Sequence, residues 1–309
     1  MSVMDLSGMD DALDFRAALV RAREAVETHV TRVDAMGHAW HETTLTDLLL
    51  EQAWPAMRAL PFNQVQEGAV GADWLWWWLD QDGTAFGMLV QAKRLHADPW
   101  RIDYGYRGGA QLRDLLSAAE ALSVPPVYCL YLGSKAFRAQ FACDAHEEGD
   151  CARCHAATVS LQPGIIAAHA AALPVDFSIR QAIPLEYLGD PNQDTRPPLL
   201  AGMSLPADLE QFLYEDQRGA NAVARHLLKR VIEVRAGQLS VDVGDVRVAP
   251  DQVYKDLPDD RGHLYEPYFP NILRGLRTSP PDYLHDLLAG RPVTATLPSS
   301  VAGVVVLTL

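Results

Sequence analysis

Asp73, Gln91 and Lys93 are polar residues in a stretch that is otherwise apolar apart from a central turn. Two aromatic and apolar runs flank that turn, which is rich in Asp and Gly, and this pattern predicts a pair of antiparallel strands. Gln91 and Lys93 are two residues apart, so they share one face of a strand. If Leu79 pairs with Ala85, Asp73 falls opposite Gln91 and all three polar groups share that face. A turn one residue shorter breaks this grouping, so the pattern predicts the register as well.

These residue types in this arrangement indicate a site for a hard cation. The carboxylate of Asp73 and the amide oxygen of Gln91 are ligands that Mg²⁺ accepts, and the carbonyl of Ala92 would add another oxygen. Mn²⁺ is the alternative metal. Lys93 would orient or help to deprotonate an attacking water, or neutralise phosphate charge. The alternative interpretation is a buried Asp–Lys ion pair with a neighbouring glutamine and no catalytic role.

The spacing of Asp73 and the tripeptide Gln91-Ala92-Lys93 resembles the motif of the PD-(D/E)XK nuclease superfamily, and in particular its Mrr-like branch, in which glutamine replaces the second acid. The resemblance implies an α/β fold of the restriction-endonuclease type, with an αβββαβ core whose mixed sheet is flanked by helices. It implies a metal-dependent endonuclease that hydrolyses phosphodiester bonds, with DNA as the expected substrate and restriction or antiviral defence as the expected role. RNA cleavage, or a catalytically silent module that binds nucleic acid or protein, is the alternative.

Nucleases of this superfamily often carry a glutamate on the first core helix that reaches the metal. A helix is predicted over residues 41–60, and Glu42 at its start is the chosen candidate, with Glu51 as the competitor. A solvated glutamate in the first turn, favoured by the helix dipole, is the alternative interpretation of Glu42. Glu67, which ends a predicted first core strand at 62–67, is either a further metal-supporting acid or a loop residue.

Positive charge is concentrated after Lys93 in an otherwise acidic chain. The net charge of −14 argues against a protein coated in nucleic acid, yet residues 91–113 carry five basic and two acidic side chains. A confined substrate channel and an ordinary solvated face both fit this charge. Aromatic residues alternate with arginines here, which suits base stacking and phosphate contact, although a packed surface loop is the alternative. The predicted substrate-binding residues are Arg94, Arg101, Arg107 and Gln111, the last at the start of a helix predicted over 111–122.

A second group of metal-ligand residue types follows in a short polar loop. Cys143, Cys151, Cys154 and His155 predict one structural zinc ion, with His146 as a spare ligand. A redox pair or unligated thiols are the alternatives. Cys129 falls inside a predicted buried strand at 127–132 and is expected to be a core residue.

The chain of 309 residues, 49% of them hydrophobic, is long enough for one large or two modest domains. No apolar run reaches membrane-spanning length, no signal-peptide pattern opens the sequence, and the cytoplasm is the expected location. Whether the protein forms a homo-oligomer is left open. We predict four regions: an N-terminal helical extension (1–40), the nuclease-like core (41–135), the zinc loop (136–160), and an added C-terminal α+β region (161–309) with a hairpin at 239–248 and a buried terminal strand.

Overall fold

A mixed β-sheet with helices on both faces organises the chain. The computed structural model describes residues 15–61, 73–97, 99–104, 110–138, 152–170, 174–188, 207–242, 272–291 and 301–309. The strands are β1 (Met57–Pro61), β2 (Asp73–Leu79), β3 (Ala85–His96), β4 (Arg101–Ile102), β5 (Pro126–Tyr131), β6 (Val159–Pro163), β7 (Ile183–Pro184), β8 (Leu276–Arg277) and β9 (Val301–Thr308). Within the described residues the strand order is β1-β9-β2-β3-β5-β6-β7, and β4 and β8 each pair with β3.

Helices cover both faces of this sheet. They are α1 (Phe15–Ala35), α2 (Glu42–Gln52), α3 (Ala110–Ala121), α4 (Lys135–Arg138), α5 (Ala152–Ala156), α6 (Gly164–Ala170), α7 (Val175–Gln181), α8 (Leu185–Leu188), α9 (Ala207–Tyr214), α10 (Gly219–Asp242) and α11 (Asp282–Leu288). Helices α1, α2 and α10 pack on one face, here called the α10 face, and α3 and α11 pack on the other, the α3 face. Each of the helices in the described residues is too short or too polar to cross a lipid bilayer. The α/β architecture with a mixed sheet between helices is as expected.

The hairpin of β2 and β3 has the predicted register. Leu79 pairs with Ala85 and the ladder continues without interruption to Trp74 opposite Val90. Side chains alternate between the faces of a strand, and they do so here: Trp76 and Trp78 pack on the α10 face, whereas Leu75 and Trp77 pack on the α3 face. The turn chemistry and the alternation of side chains therefore determine this hairpin locally.

The crossover from β3 to β5 also agrees with the sequence-based prediction. Helix α3 was predicted at 111–122 and occupies Ala110–Ala121, and the strand predicted at 127–132 is β5. Strand β5 lies parallel to β3, from the pair Leu89 and Pro126 onward, and all of its residues are buried. An unbroken apolar run is typical of a strand covered on both faces.

The helix predicted over 41–60 is shorter than expected, and this prediction is corrected. Helix α2 ends at Gln52, and strand β1 begins at Met57. Pro55 explains the early end, because proline has no amide hydrogen and its ring clashes with the preceding turn. The strand predicted at 62–67, including Glu67, lies outside the described residues.

The terminal strand was predicted, but its position in the sheet was not. Strand β9 lies between β1 and β2, antiparallel to β1 and parallel to β2. Residues Val301–Leu307 are buried, because neighbouring strands and helices on both faces cover them. A segment from the predicted C-terminal region is thus a central strand of the sheet that carries the predicted site.

The hairpin predicted at 239–248 is wrong over its first four residues. Residues 239–242 continue α10, and 243–248 lie outside the described part of the chain. A helix that is already formed extends at one hydrogen bond per residue without a new nucleation cost, so it can override a local alternating pattern. The start of α10 is attached to the β2–β3 turn, because both carboxylate oxygens of Asp80 accept from Ala220 N–H, at 2.9 and 3.0 Å.

Candidate functional site

Gln91 and Lys93 lie in the buried second half of β3. Their side chains are 2% and 7% exposed, and Ala92 between them is half-buried. They have the same parity as Leu89, which packs in the core of the α3 face. Burying an ammonium group is costly unless hydrogen bonds and charges compensate it, so Lys93 occupies a position that needs polar partners.

Gln111 provides one such partner from α3. The Lys93 ammonium donates a hydrogen bond to Gln111 Oε1 at 2.5 Å. Gln111 was predicted to bind substrate from the start of this helix, and the structure places it in direct contact with Lys93. Strand β3 and helix α3 therefore bring together two predicted residues that are 18 positions apart.

Asp73 is the first residue of β2, where its backbone pairs with Val301 of β9. The β2–β3 ladder ends at Trp74 and Val90, so Asp73 and Gln91 are the next residues along the two strands. The side chain of Asp73 lies outside the part of the structure that is described. Its predicted role as a metal ligand stays a prediction.

Glu42 reaches the same end of β3 from the other side of the sheet. It is the first residue of α2, and its Oε1 accepts a hydrogen bond from Arg94 N–H at 3.1 Å. The competitor, Glu51, is exposed and lies nine residues further along the helix, which corresponds to a rise of roughly 13 Å. Of the two candidates, Glu42 is the one placed beside the residue that follows Lys93.

A cleft of about 320 Å³ opens next to this end of β3. Arg94 and Arg101, both predicted to bind substrate, line it, whereas Arg107 lies outside the described residues. The Arg94 guanidinium lies over the ring of Trp40, 5.4 Å from its centroid. Trp40 is buried, and its indole N–H donates to Asp34 Oδ1 at 3.1 Å. The stacked indole holds the guanidinium in one orientation at the cleft.

Further aromatic and titratable groups complete the cleft. Trp100 is half-buried and meets Phe137 edge to face, with ring centroids 4.6 Å apart and an interplanar angle of 77°. Burial lowers the pKa of His96, and the Arg94 and Arg101 cations lower it further, although Asp103 opposes this effect. Burial raises the pKa of Asp34, although the hydrogen bond from Trp40 opposes this effect.

A buried ion pair holds one wall of the cleft. Glu27 Oε2 accepts from Arg138 Nη2 and from Thr158 Oγ1, each at 2.5 Å, and Glu27 Oε1 accepts from Lys135 N–H at 2.5 Å. The Arg138 guanidinium also donates to the carbonyl oxygens of Cys154, at 2.6 Å, and of Gly133. Gly133 lines the cleft, as does Phe137 on α4. The network therefore attaches this wall to α1 and to the start of β6.

Sequence reasoning missed Trp40, His96, Asp34 and the Glu27–Arg138 pair. Trp40 and Glu42 are close in sequence, and an aromatic residue just before a predicted functional helix was an available signal. The Glu27–Arg138 pair had no local signal, because its members are 111 residues apart.

The predicted zinc ligands are described in part. Cys143, Cys151 and His146 lie outside the described residues, Cys154 is buried, and His155 is half-buried. No group of three or more His, Cys, Asp or Glu side chains suited to a metal occurs among the residues that the structure describes. Zinc therefore stays a prediction. Cys129 is a core residue of β5, and burial raises the pKa of its thiol to about 12.

Comparison with known proteins gives a match to a protein family, and this match covers nearly the whole chain. No curated protein and no solved structure matches the chain. One family profile matches residues 15–308, which span every helix and strand described above. The chain therefore belongs to the family of unknown function DUF6615.

Proposed function

We propose that this protein is a Mg²⁺- or Mn²⁺-dependent nuclease that hydrolyses phosphodiester bonds, with DNA as its substrate. One observation carries the proposal: residues predicted separately on α2 and α3 contact two adjacent residues of β3, Arg94 and Lys93. Glu42 contacts the backbone of Arg94, and Lys93 contacts Gln111. A buried lysine next to a buried glutamine on one strand has no evident advantage for stability, because burying polar and charged groups is costly.

The residue types in the proposed site suit a hard cation. Gln91, Glu42 and Asp73 would offer amide and carboxylate oxygens, and the Ala92 carbonyl would offer a further oxygen. Such all-oxygen sets favour Mg²⁺ or Mn²⁺ over zinc. When bound, the metal would polarise the phosphodiester and lower the pKa of an attacking water.

The chain's own residues would bind and orient the substrate. The Lys93 ammonium, held by Gln111 Oε1, would lie where negative charge develops on the phosphate oxygens. Arg94, oriented by Trp40, would contact a neighbouring phosphate. Glu42 has two carboxylate oxygens, and its bond to the Arg94 backbone fixes the carboxylate at the end of β3.

A non-catalytic nucleic-acid-binding module is the second candidate function. The cleft, with its arginines and tryptophans, favours it, because base stacking and phosphate contact need no metal. Glutamine at position 91 in place of an acid also gives the proposed metal site one negative charge fewer, which favours the non-catalytic alternative. RNA cleavage by the same residues is the remaining alternative, and the substrate panel below separates it from DNA cleavage.

The test compares two lysines of equal burial. Lys93 and Lys229 are each 7% exposed, and Lys229 lies on α10 beside Glu233 at 3.8 Å. With Mg²⁺ or Mn²⁺ and single- and double-stranded DNA and RNA, Lys93→Ala is expected to lower the cleavage rate by roughly 10²–10³-fold. Lys229→Ala is the matched control, since it also removes a buried ammonium but lies on a different element.

Melting curves of both variants separate folding from catalysis. Equal stability with cleavage lost in Lys93→Ala alone supports the proposal. If wild type cleaves none of the substrates with either metal, or if Lys93→Ala cleaves as fast as wild type, the nuclease proposal fails and the binding module takes its place.

A further inference from the structure

The cleft beside β3 combines aromatic surface with positive charge. Arg94 and Arg101 line it and form no ion pair with any residue in the described part of the chain, and Asp34 is the acid among the residues that line it. A planar aromatic group and an anion are therefore the two features that a ligand of this cleft must carry. Nucleotides carry both.

Trp100 is positioned to stack on such a group. It is half-buried in the cleft wall, so part of its surface faces the opening. Phe137 meets it edge to face, with ring centroids 4.6 Å apart and an interplanar angle of 77°, and this contact supports the indole at the cleft. Stacking of a base on an aromatic side chain is sequence-tolerant, because every base has a π-face.

The cations are arranged for an anion next to that stacked group. Trp40 fixes the Arg94 guanidinium, so little rotamer entropy is lost when the guanidinium binds an anion. Arg101 directly follows Trp100 in the chain and is exposed. His96 also lines the cleft, and its imidazole nitrogens can form hydrogen bonds with a base edge.

The size of the cleft limits the ligand. A volume of about 320 Å³ is at the lower end of the roughly 300–1,000 Å³ found for small-molecule sites. This space accommodates one nucleotide unit rather than a stack of base pairs.

We infer that the cleft binds one unpaired nucleotide, with its base stacked on Trp100 and its phosphate bound by Arg94 and Arg101. The ligand is either a free mononucleotide or one nucleotide of a single strand, because both present the same chemistry. The inference stands on the residues of the cleft and does not require the cleavage reaction or a metal ion.

The experiment measures binding of the full chain in EDTA, where cleavage is blocked. The probes are dTMP, AMP, a fluorescein-labelled oligodeoxythymidylate, and the same oligonucleotide annealed to its complement. Wild type is expected to bind the single strand more tightly than the duplex. If the mononucleotides bind in addition to the single strand, free nucleotides are a source of the ligand. If only the single strand binds, the ligand is one nucleotide of a nucleic acid. Both results support the inference.

Two variants and two matched controls locate the binding site. Trp100→Ala is expected to weaken binding about 5- to 100-fold through lost stacking, and Arg101→Glu about 10-fold or more through lost phosphate contact. Arg101 is exposed, so its replacement keeps the test valid even if Trp100→Ala does not fold. The controls are Trp54→Ala, an exposed tryptophan that also lies beside an arginine, Arg58, and Arg218→Glu, the same charge reversal at an exposed arginine before α10.

Three results would overturn the inference. They are the absence of binding to every single-stranded or mononucleotide probe, tighter binding of the duplex than of the single strand, and unchanged binding in both cleft variants. The binding assay is run in EDTA, where no metal-dependent cleavage occurs, so a failure here is distinguishable from a failure of the nuclease proposal, which is judged by cleavage with Mg²⁺ or Mn²⁺.

Discussion

Removal of Arg138 tests whether the buried ion pair stabilises the cleft wall. Arg138 is 1% exposed, and its partner carboxylate on Glu27 is 17% exposed. In Arg138→Met the Glu27 charge remains in the interior without its counter-ion, and two backbone carbonyls lose a donor. Breaking a buried pair from one side costs about 3–5 kcal/mol, and we expect a fall in the free energy of unfolding of about 4 kcal/mol.

A second replacement is expected to recover part of this loss. Glu27→Gln removes the charge but keeps an amide oxygen that can accept from Thr158 or from Lys135 N–H. The double variant Glu27→Gln/Arg138→Met is therefore expected to be about 2 kcal/mol more stable than Arg138→Met alone. Non-additivity of this size is typical of residues in one hydrogen-bonded network.

The pH dependence of the pair has a defined sign. Burial alone would raise the pKa of Glu27, but the Arg138 cation and the hydrogen bonds from Thr158, Arg138 and Lys135 lower it below its ordinary value. A carboxylate whose pKa is lowered by folding contributes stability above its unfolded pKa, here 4.5, and loses it as the pH falls through the folded pKa. The stability difference between wild type and Glu27→Gln should therefore shrink below about pH 4.5.

Urea denaturation, followed by tryptophan fluorescence at neutral and at acidic pH, measures these quantities. The reasoning is refuted if Arg138→Met lowers the free energy of unfolding by less than about 1 kcal/mol at neutral pH, because removing the counter-ion of a buried carboxylate is expected to cost more than that. It is also refuted if the double variant is destabilised by the sum of the two single effects.

Two further predictions concern the hairpin and the cleft. Gly87→Ala would place a Cβ 2.6 Å from the ring of Trp77, which is 1% exposed and donates a hydrogen bond to Tyr283 at 2.9 Å. Because the ring cannot move away freely, we expect the free energy of unfolding, measured by urea denaturation, to fall by about 1–3 kcal/mol. An unchanged denaturation midpoint would mean that the ring is not held in place. The pKa of His96 is lowered in the fold, so wild type should keep its full stability above about pH 6.5 and lose part of it as the pH falls through the folded pKa. The variant His96→Asn has no imidazole to protonate, so it should lose less stability than wild type between about pH 7 and pH 5. Melting temperatures at the two pH values check this, and equal losses in both proteins would contradict it.

Much of the sheet that carries the candidate site could be predicted from the sequence. The register of β2 and β3 follows from a short turn and from side-chain alternation, both of which are local. The same is true of α3 and β5, whose apolar periodicity and flanking prolines mark their ends. The candidate residues Gln91 and Lys93 were visible because polar groups in a buried strand contradict the surrounding pattern.

Two local patterns were overridden by the backbone directly beside them. Pro55 ended α2 earlier than the apolar stripe predicted, and α10 continued through residues whose alternation indicated a strand. In both cases the pattern of a short window was weaker than the backbone geometry already established beside it.

The sequence by itself determined the β2–β3 hairpin, the α3–β5 crossover and the pairing of Gln91 with Lys93 on one strand face, because each depends on residues close together in the chain. The tertiary structure alone decided that β9 lies between β1 and β2. It also decided that Glu42 reaches Arg94, that Lys93 meets Gln111, and that Glu27 pairs with Arg138. These contacts join segments 18 to 111 residues apart, and their partners are selected by packing of the whole sheet and its helices, which no local pattern encodes.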